Sequence, residues 1–320
     1  NTSNGGFVLI DSNSHVQQPY VYLEGGNPNI YDIEIRNSSF GRLPSHNRYH
    51  GAIHIGPKGG AKLVNSAYES MDLVGSTRGG EFYAENSTFN LLGFRMGDAS
   101  KVTILKSSFT DFGPASGGLS FGIGHNADFL SNEIEITAFA NLDLYTSGTV
   151  LNGNIKTLTP QGGLHLRQAD PERPLPNIIN GNLTIFGQGV DLSGDLKLTG
   201  DLINFAHELD MYPDSSHVYI NGQHIFKIGG IANFGNDVTT NNCTKPGCHF
   251  KLEFFGDRNS NIVWPVGFPI DTLVINKSNC AKVTFQHSIY VSGETRIQSG
   301  QLVLDPNDTI PYKFVCAGDV

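Results

Sequence analysis

The side chains best placed for chemistry are His54, Arg95, His165 and Arg167. Each stands beside apolar residues in a short alternating run: Ile53-His54-Ile55, Phe94-Arg95-Met96 and Leu164-His165-Leu166-Arg167. In a β-strand, successive side chains point to opposite faces. If the apolar neighbours point inward, the polar four point outward and form a basic stripe along one sheet. Such a stripe suits an acidic glycan. Cations neutralise a uronate carboxylate and an imidazole removes the proton beside it, which are the two needs of a lyase. His46, Arg48 and His50 stand in a long segment where they could overhang the stripe. The competing expectation is a solvated face, because exposed Arg and His are ordinary.

These strands need a scaffold, and a repeat supplies it. Asn37-Ser38-Ser39-Phe40, Asn65-Ser66-Ala67-Tyr68, Asn86-Ser87-Thr88-Phe89 and Lys106-Ser107-Ser108-Phe109 are near copies. Their aromatic residues stand 28, 21 and 20 residues apart, and 20 more lead to Phe129 in a looser copy. Each copy follows a strand-like run such as Ile33-Glu34-Ile35 or Val102-Thr103-Ile104. A period of ~20–30 residues with short strands signals a solenoid, in which each coil buries its inner face only by stacking on the next. Asn and Ser suit the bends, since Asn tolerates the left-handed region and both bond local amides. Glycine and β-branched residues interrupt every helical window. The expected fold is all-β, a right-handed parallel β-helix; the alternative is a β-sandwich with regular strand spacing.

The second half repeats at finer grain. Val190–Leu198 and Ile289–Ile297 read as three-residue strands joined at Ser193-Gly194 and Ser292-Gly293. Three prolines, Pro171, Pro174 and Pro176, make a stiff loop between the halves. The expected organisation is β-helix coils over 1–168, continued over 169–320 by a solenoid with irregular loops.

Cys243 and Cys248 flank a Pro-Gly turn, which favours a disulfide between them and leaves Cys280 and Cys316 to pair. Zinc ligation and free thiols are the alternatives, and the second pair lacks a Cys-x-x-Cys knuckle. Disulfides would imply an oxidising compartment. The sequons at Asn1, Asn37, Asn86, Asn182, Asn242, Asn276 and Asn307 read as turn residues.

Composition narrows the function. The net charge is −9 and no Lys/Arg cluster stands out, so a nucleic-acid partner is not expected. No apolar run approaches the ~18 residues of a membrane span. Charged residues are 16% and aromatics 10%, which is turn-rich and folded rather than disordered. No cofactor is expected. Asp305-Pro306-Asn307-Asp308 and Asn236-Asp237 offer oxygens for calcium but lack alternating carboxylate spacing, so no metal site is assigned. The polar start and the end just after an apolar run are read as a processed protein or a piece of a longer one.

The stretch Asp271-Thr272-Leu273-Val274-Ile275-Asn276-Lys277, Lys282-Val283-Thr284-Phe285, Ile289–Glu294 and Ile297–Leu302 resembles repeat segments of large proteins that Bacteroidota export by type IX secretion. The first half resembles the wider parallel β-helix class of polysaccharide lyases and adhesins. Both resemblances imply an extracellular or cell-surface location, and neither assigns an activity. A polygalacturonase-like hydrolase would need Asn-Thr-Asp, Asp-Asp, Gly-His-Gly and Arg-Ile-Lys on successive coils, with two carboxylates at the scissile bond. None is complete, and Gly124-His125-Asn126 is the nearest echo. The expectation is a structural or adhesive surface module, a rigid stalk that contacts polysaccharide or surface proteins within a longer chain or assembly. The alternative is a polysaccharide lyase-like enzyme acting on an acidic glycan.

Overall fold

The computed structural model describes residues 7–16, 20–23, 31–41, 52–69, 72–75, 79–112, 118–124, 126–139, 141–145, 149–158, 163–167, 177–185, 189–192, 196–204, 217–220, 224–228, 232–233, 250–263, 269–286, 288–304 and 314–316. Among them there is no helix. The strand pairings are parallel, which rules against an antiparallel sandwich. The chain forms two compact units, residues 1–153 with 168–173, and residues 154–167 with 174–320.

In the first unit each repeat sends one strand to each of three stacked sheets. The first sheet stacks Val8–Ile10, Ile33–Arg36, Gly60–Val64, Glu81–Glu85, Lys101–Leu105 and Asp128–Asn132. The second stacks His15–Val16, Ser39–Gly41, Ala67–Glu69, Thr88–Asn90, Ser108–Thr110 and Ile134–Ala138. The third stacks Tyr20–Leu23, Ala52–Ile55, Asp72–Gly75, Gly93–Met96, Leu119–Ile123 and Leu142–Tyr145.

Alternation explains which residues fill the interior. Ile33, Ile35, Leu63, Phe82 and Ile104 of the first sheet are buried, as are Ile53, Leu73, Phe94 and Phe121 of the third. From the second sheet come Phe40, Tyr68, Phe89 and Phe109, stacked repeat on repeat with ring centroids 5.6, 6.0 and 4.6 Å apart. Phe82 meets Phe94 at 5.1 Å, and Phe94 meets Phe109 at 5.2 Å, so the three sheets share one aromatic core. Each such pair contributes ~0.5–1.5 kcal/mol beyond its area burial. Glu34 points outward as expected but is only 8% exposed, because Lys62 and Arg36 pair with its carboxylate at 2.9 and 2.8 Å.

The bend from first to second sheet is the most regular feature. Asn13, Asn37, Asn65, Asn86, Lys106 and Glu133 occupy it in turn, all in the left-handed region with φ between 47° and 59°. Asn lowers the cost of that region through local hydrogen bonds. The Asn amides also bond to each other. Asn86 Nδ2 donates to Asn65 Oδ1 at 2.8 Å, and Asn65 Nδ2 donates to Asn37 Oδ1 at 3.1 Å. Beside them runs a serine ladder, in which the backbone N–H of Ser66 donates to Ser87 Oγ at 3.2 Å and that of Ser87 to Ser107 Oγ at 3.1 Å.

One expected copy falls elsewhere. Phe129 lies on the first sheet opposite Val102, and Ile136 takes the place beneath Phe109. The bend residue is Glu133, which follows Lys106 by 27 residues rather than 20. The extra residues precede Leu119 and shift the whole copy along the chain.

In the second unit, one sheet stacks Asn177–Asn180, Leu196–Leu198, His224–Ile228, Phe250–Gly256, Pro269–Lys277, Ile289–Ser299 and Phe314–Cys316. A second stacks Leu183–Ile185, Leu202–Asn204, Ala232–Asn233, Ser260–Val263, Lys282–Phe285 and Gln301–Leu304. A third holds Gly163–Arg167, Gly189–Leu192 and His217–Ile220. Ser193-Gly194 lies outside the described residues, and Ser292-Gly293 makes no turn. Ile289–Ser299 is one strand of 11 residues, and Ile297 is 50% exposed rather than inward. Gly293 lies so close to the Asp271 carbonyl that a Cβ there would meet its oxygen at 2.4 Å. The glycine serves strand packing and a register shift, not a bend.

The expected Cys280–Cys316 disulfide is not formed, and Cys280 is an exposed free thiol. Cys280 sits in a left-handed turn, with φ of 55°, that leads into Lys282–Phe285. The Cys316 backbone pairs with Val291 in the other sheet. Cys243 and Cys248 lie outside the described residues.

Candidate functional site

The outer face of the third sheet in the first unit gathers the groups with binding chemistry. Register puts Tyr22, His54, Arg95 and Gly122 in one outward column, with the Val74 backbone paired between His54 and Arg95. The neighbouring outward column holds Asp72, Gly93, Ser120 and Asp143. Alternation fixes both, because Ile53, Ile55, Phe94 and Met96 are held inside.

Tyr22 and His54 stack face to face. Their ring centroids are 4.8 Å apart and their planes differ by 11°. Tyr22 is 55% exposed, so one end of the stack meets solvent. Arg95 is exposed and its Nε donates to Ser120 Oγ at 3.3 Å. That bond anchors the guanidinium. Asp72 lies half-buried beside Arg95 and His54. Burial pushes its carboxyl above the ordinary value, and the charges of Arg95 and His54 oppose that rise. Gly93 makes the arrangement possible, since a Cβ there would meet Asp72 Oδ1 at 2.4 Å.

Two of the four residues of the expected stripe lie on this face. His54 and Arg95 share a column, two repeats apart, with the Val74 backbone between them. His165 and Arg167 lie on Gly163–Arg167 of the second unit, where the His165 backbone pairs with Asp191; their side chains fall outside the described residues. His46, Arg48, His50 and His125 also fall outside them. Tyr22 and Asp72 were missed. Tyr20-Val21-Tyr22-Leu23 does show the alternation that could have revealed Tyr22, but Asp72 needed the register between strands.

A second polar cluster covers the first sheet's outer face. Lys62 Nζ lies 5.9 Å from the Tyr31 ring and 5.5 Å from the Tyr83 ring while pairing with Glu34. Glu81 Oε1 accepts from Tyr31 and pairs with Lys101 at 2.8 Å. Glu85 accepts from Tyr83, and this bond, with burial, pushes that phenol up to about 12. Burial first, then the Glu81 carboxylate, pushes the Tyr31 phenol up. These charges are matched with each other, so the cluster reads as a staple between repeats.

Among the described residues, no group of three or more His, Cys, Asp or Glu could hold a metal ion. Asp237 and the Asp305–Asp308 turn lie outside them. No helix among those residues is long and apolar enough to cross a membrane. No family model, curated protein or solved structure matches this chain.

Proposed function

We propose that the chain is a right-handed parallel β-helix acting as an extracellular scaffold at a cell surface. In this reading the outer third-sheet face of its first unit binds an acidic glycan without cleaving it. The observation that carries the reading is the Tyr22–His54 stack in one column with the anchored Arg95. A pyranose ring lies against an exposed aromatic face, and a guanidinium takes a carboxylate in two parallel bonds. The three-strand repeat with parallel pairing and the recurring left-handed bend support the β-helix. The likeness of the 270–302 stretch to type IX secretion cargo supports the surface location.

Asp72 beside His54 and Arg95 favours a second reading, a lyase that uses His54 as base and Arg95 to neutralise the substrate carboxylate. One experiment separates the two. The purified chain is incubated with acidic and neutral polysaccharides, and both binding and unsaturated products are followed. The scaffold reading expects saturable binding of an acidic polymer with no shortened product. Arg95→Ala should weaken that binding by about tenfold or more, as expected for loss of a charged hydrogen bond. Unsaturated oligosaccharides that vanish in Arg95→Ala would establish the lyase instead. Binding unchanged in Arg95→Ala would remove the site.

A further inference from the structure

The bend between the first and second sheets carries a groove of about 430 Å³ on the outside of the Asn ladder. It lies apart from the third-sheet site, and its lining contains only Asn, Ser, Thr and one Ala. We propose that this groove is a second binding site, for a linear neutral oligosaccharide.

The case rests on hydrogen-bonding groups the fold leaves over. An Asn amide has two N–H donors and an oxygen with two lone pairs. In Asn37, Asn65 and Asn86, one donor goes to the preceding repeat: to Asp11 at 3.2 Å, Asn37 at 3.1 Å and Asn65 at 2.8 Å. The second N–H of each makes no further bond in the fold, and all three exposed side chains line the groove. The ladder fixes these amides rigidly, so a ligand finds them already oriented. They recur at the ~4.8 Å strand spacing, comparable to the length of one pyranose ring. Four repeats, from Asn13 to Asn86, line the groove and span about 14 Å. A chain of sugar rings presents hydroxyls, each both donor and acceptor, at a similar interval.

Charge selects a neutral chain. No Lys or Arg lines the groove, and the Asp11 carboxylate terminates the amide run at one end. An anion would meet that carboxylate, and the one cation of the bend, Lys106, stands a repeat beyond the lining. An extended peptide fits less well. Peptide recognition needs pockets for alternate side chains, and the single apolar side chain here is Ala67.

The test uses the full chain labelled with ¹⁵N, with the side-chain amide signals of Asn37, Asn65 and Asn86 as reporters. Neutral gluco-, manno- and xylo-oligosaccharides are titrated in turn. The expected result is a saturable shift of these three signals by at least one neutral oligosaccharide. Ala67→Ile adds bulk to the groove with no new hydrogen bond, and its β-branch suits a strand. It should weaken binding by about tenfold or more. Thr88→Val removes one lining hydroxyl at constant shape and should weaken it by a few fold. Unfolding midpoints equal to the parent's show that the ladder is intact, and Thr88→Val carries the test if Ala67→Ile does not fold. Silence of all three signals toward every neutral oligosaccharide overturns the proposal. So do shifts that neither variant weakens, or shifts caused by an extended polar peptide and by no saccharide.

Discussion

Both units link their repeats through Asn amides, but Asn37, Asn65 and Asn86 take the left-handed region while Asn154, Asn182 and Asn259 do not, and the amides bond to different partners. In the first unit, Asn37, Asn65 and Asn86 bond side chain to side chain. In the second, the Asn oxygen accepts from a backbone N–H of the next repeat: Asn154 from Asn182, Asn182 from Asp201, and Asn259 from Lys282, at 3.0, 2.9 and 2.9 Å. A side-chain ladder requires the same residue in each successive repeat. A backbone acceptor is indifferent to the residue above it. The cores differ likewise. Phe40, Tyr68, Phe89 and Phe109 form a column of rings in the first unit, whereas the second packs Leu252, Leu273, Val283 and Val291 around one ring pair, Phe254 and Phe285, together with one lysine. The first unit therefore repeats in sequence, and the second repeats mainly in backbone.

The sharpest way to break this contrast is Phe89→Ala. Phe89 is buried against Tyr68, Phe82 and Phe109, and its loss should cost about 3–5 kcal/mol in urea unfolding. A loss under about 1 kcal/mol would mean that the aromatic column is not what holds the first unit.

Lys277 sharpens the contrast from the other side. It is 0% exposed, and its Nζ donates to the Phe255 carbonyl at 2.7 Å. Burial, then the nearby Arg258 charge, pushes its amine down to about 8 from the usual 10.5. Between these values the unfolded chain keeps a proton that the folded chain has released, so stability rises as pH rises from about 8 toward 10.5. The penalty is fully present below that window and is on the order of 2 kcal/mol. Lys277→Met should flatten this rise in unfolding midpoint against pH and add stability at neutral pH. An unchanged pH profile would show that Lys277 is not its source.

The smallest effect concerns the turns. Asn65→Ala removes two ladder bonds and leaves alanine at φ 50°, at a cost of about 2 kcal/mol. Asn65→Gly keeps the φ and should recover about half of that. Asn259→Ala in the second unit loses one bond to a backbone N–H and should cost about 1 kcal/mol. Equal losses for Asn65→Ala and Asn259→Ala would erase the distinction between the two kinds of turn.

The same physics decided what the sequence could tell. The Asn-Ser-x-aromatic copies were readable because ladder and stack demand identity at each step. The reading failed at Phe129, where an apolar residue on the first sheet mimics one on the second, and only the register reveals the extra residues before Leu119. It failed again at Gly293, where a residue that often marks a turn instead permits a close backbone approach. At the candidate site, His54 and Arg95 followed from local alternation. Asp72 belongs to a strand that joins the site only through pairing, which one-dimensional pattern cannot report.

The spacing of the ladder also bears on how such a chain can change over generations. Asn37 to Asn65 is 28 residues and Asn65 to Asn86 is 21, yet the bend has the same geometry at each. The additional residues fall between the second and third sheets, after Gly41 in one repeat and after Thr110 in another. Insertions and deletions there leave the amide ladder in register, whereas one residue added inside the bend would break it. The third sheet is thus edged by segments free to vary in length while the bend must stay fixed. A lineage built on this plan can revise what it recognises on that face while inheriting its frame unaltered.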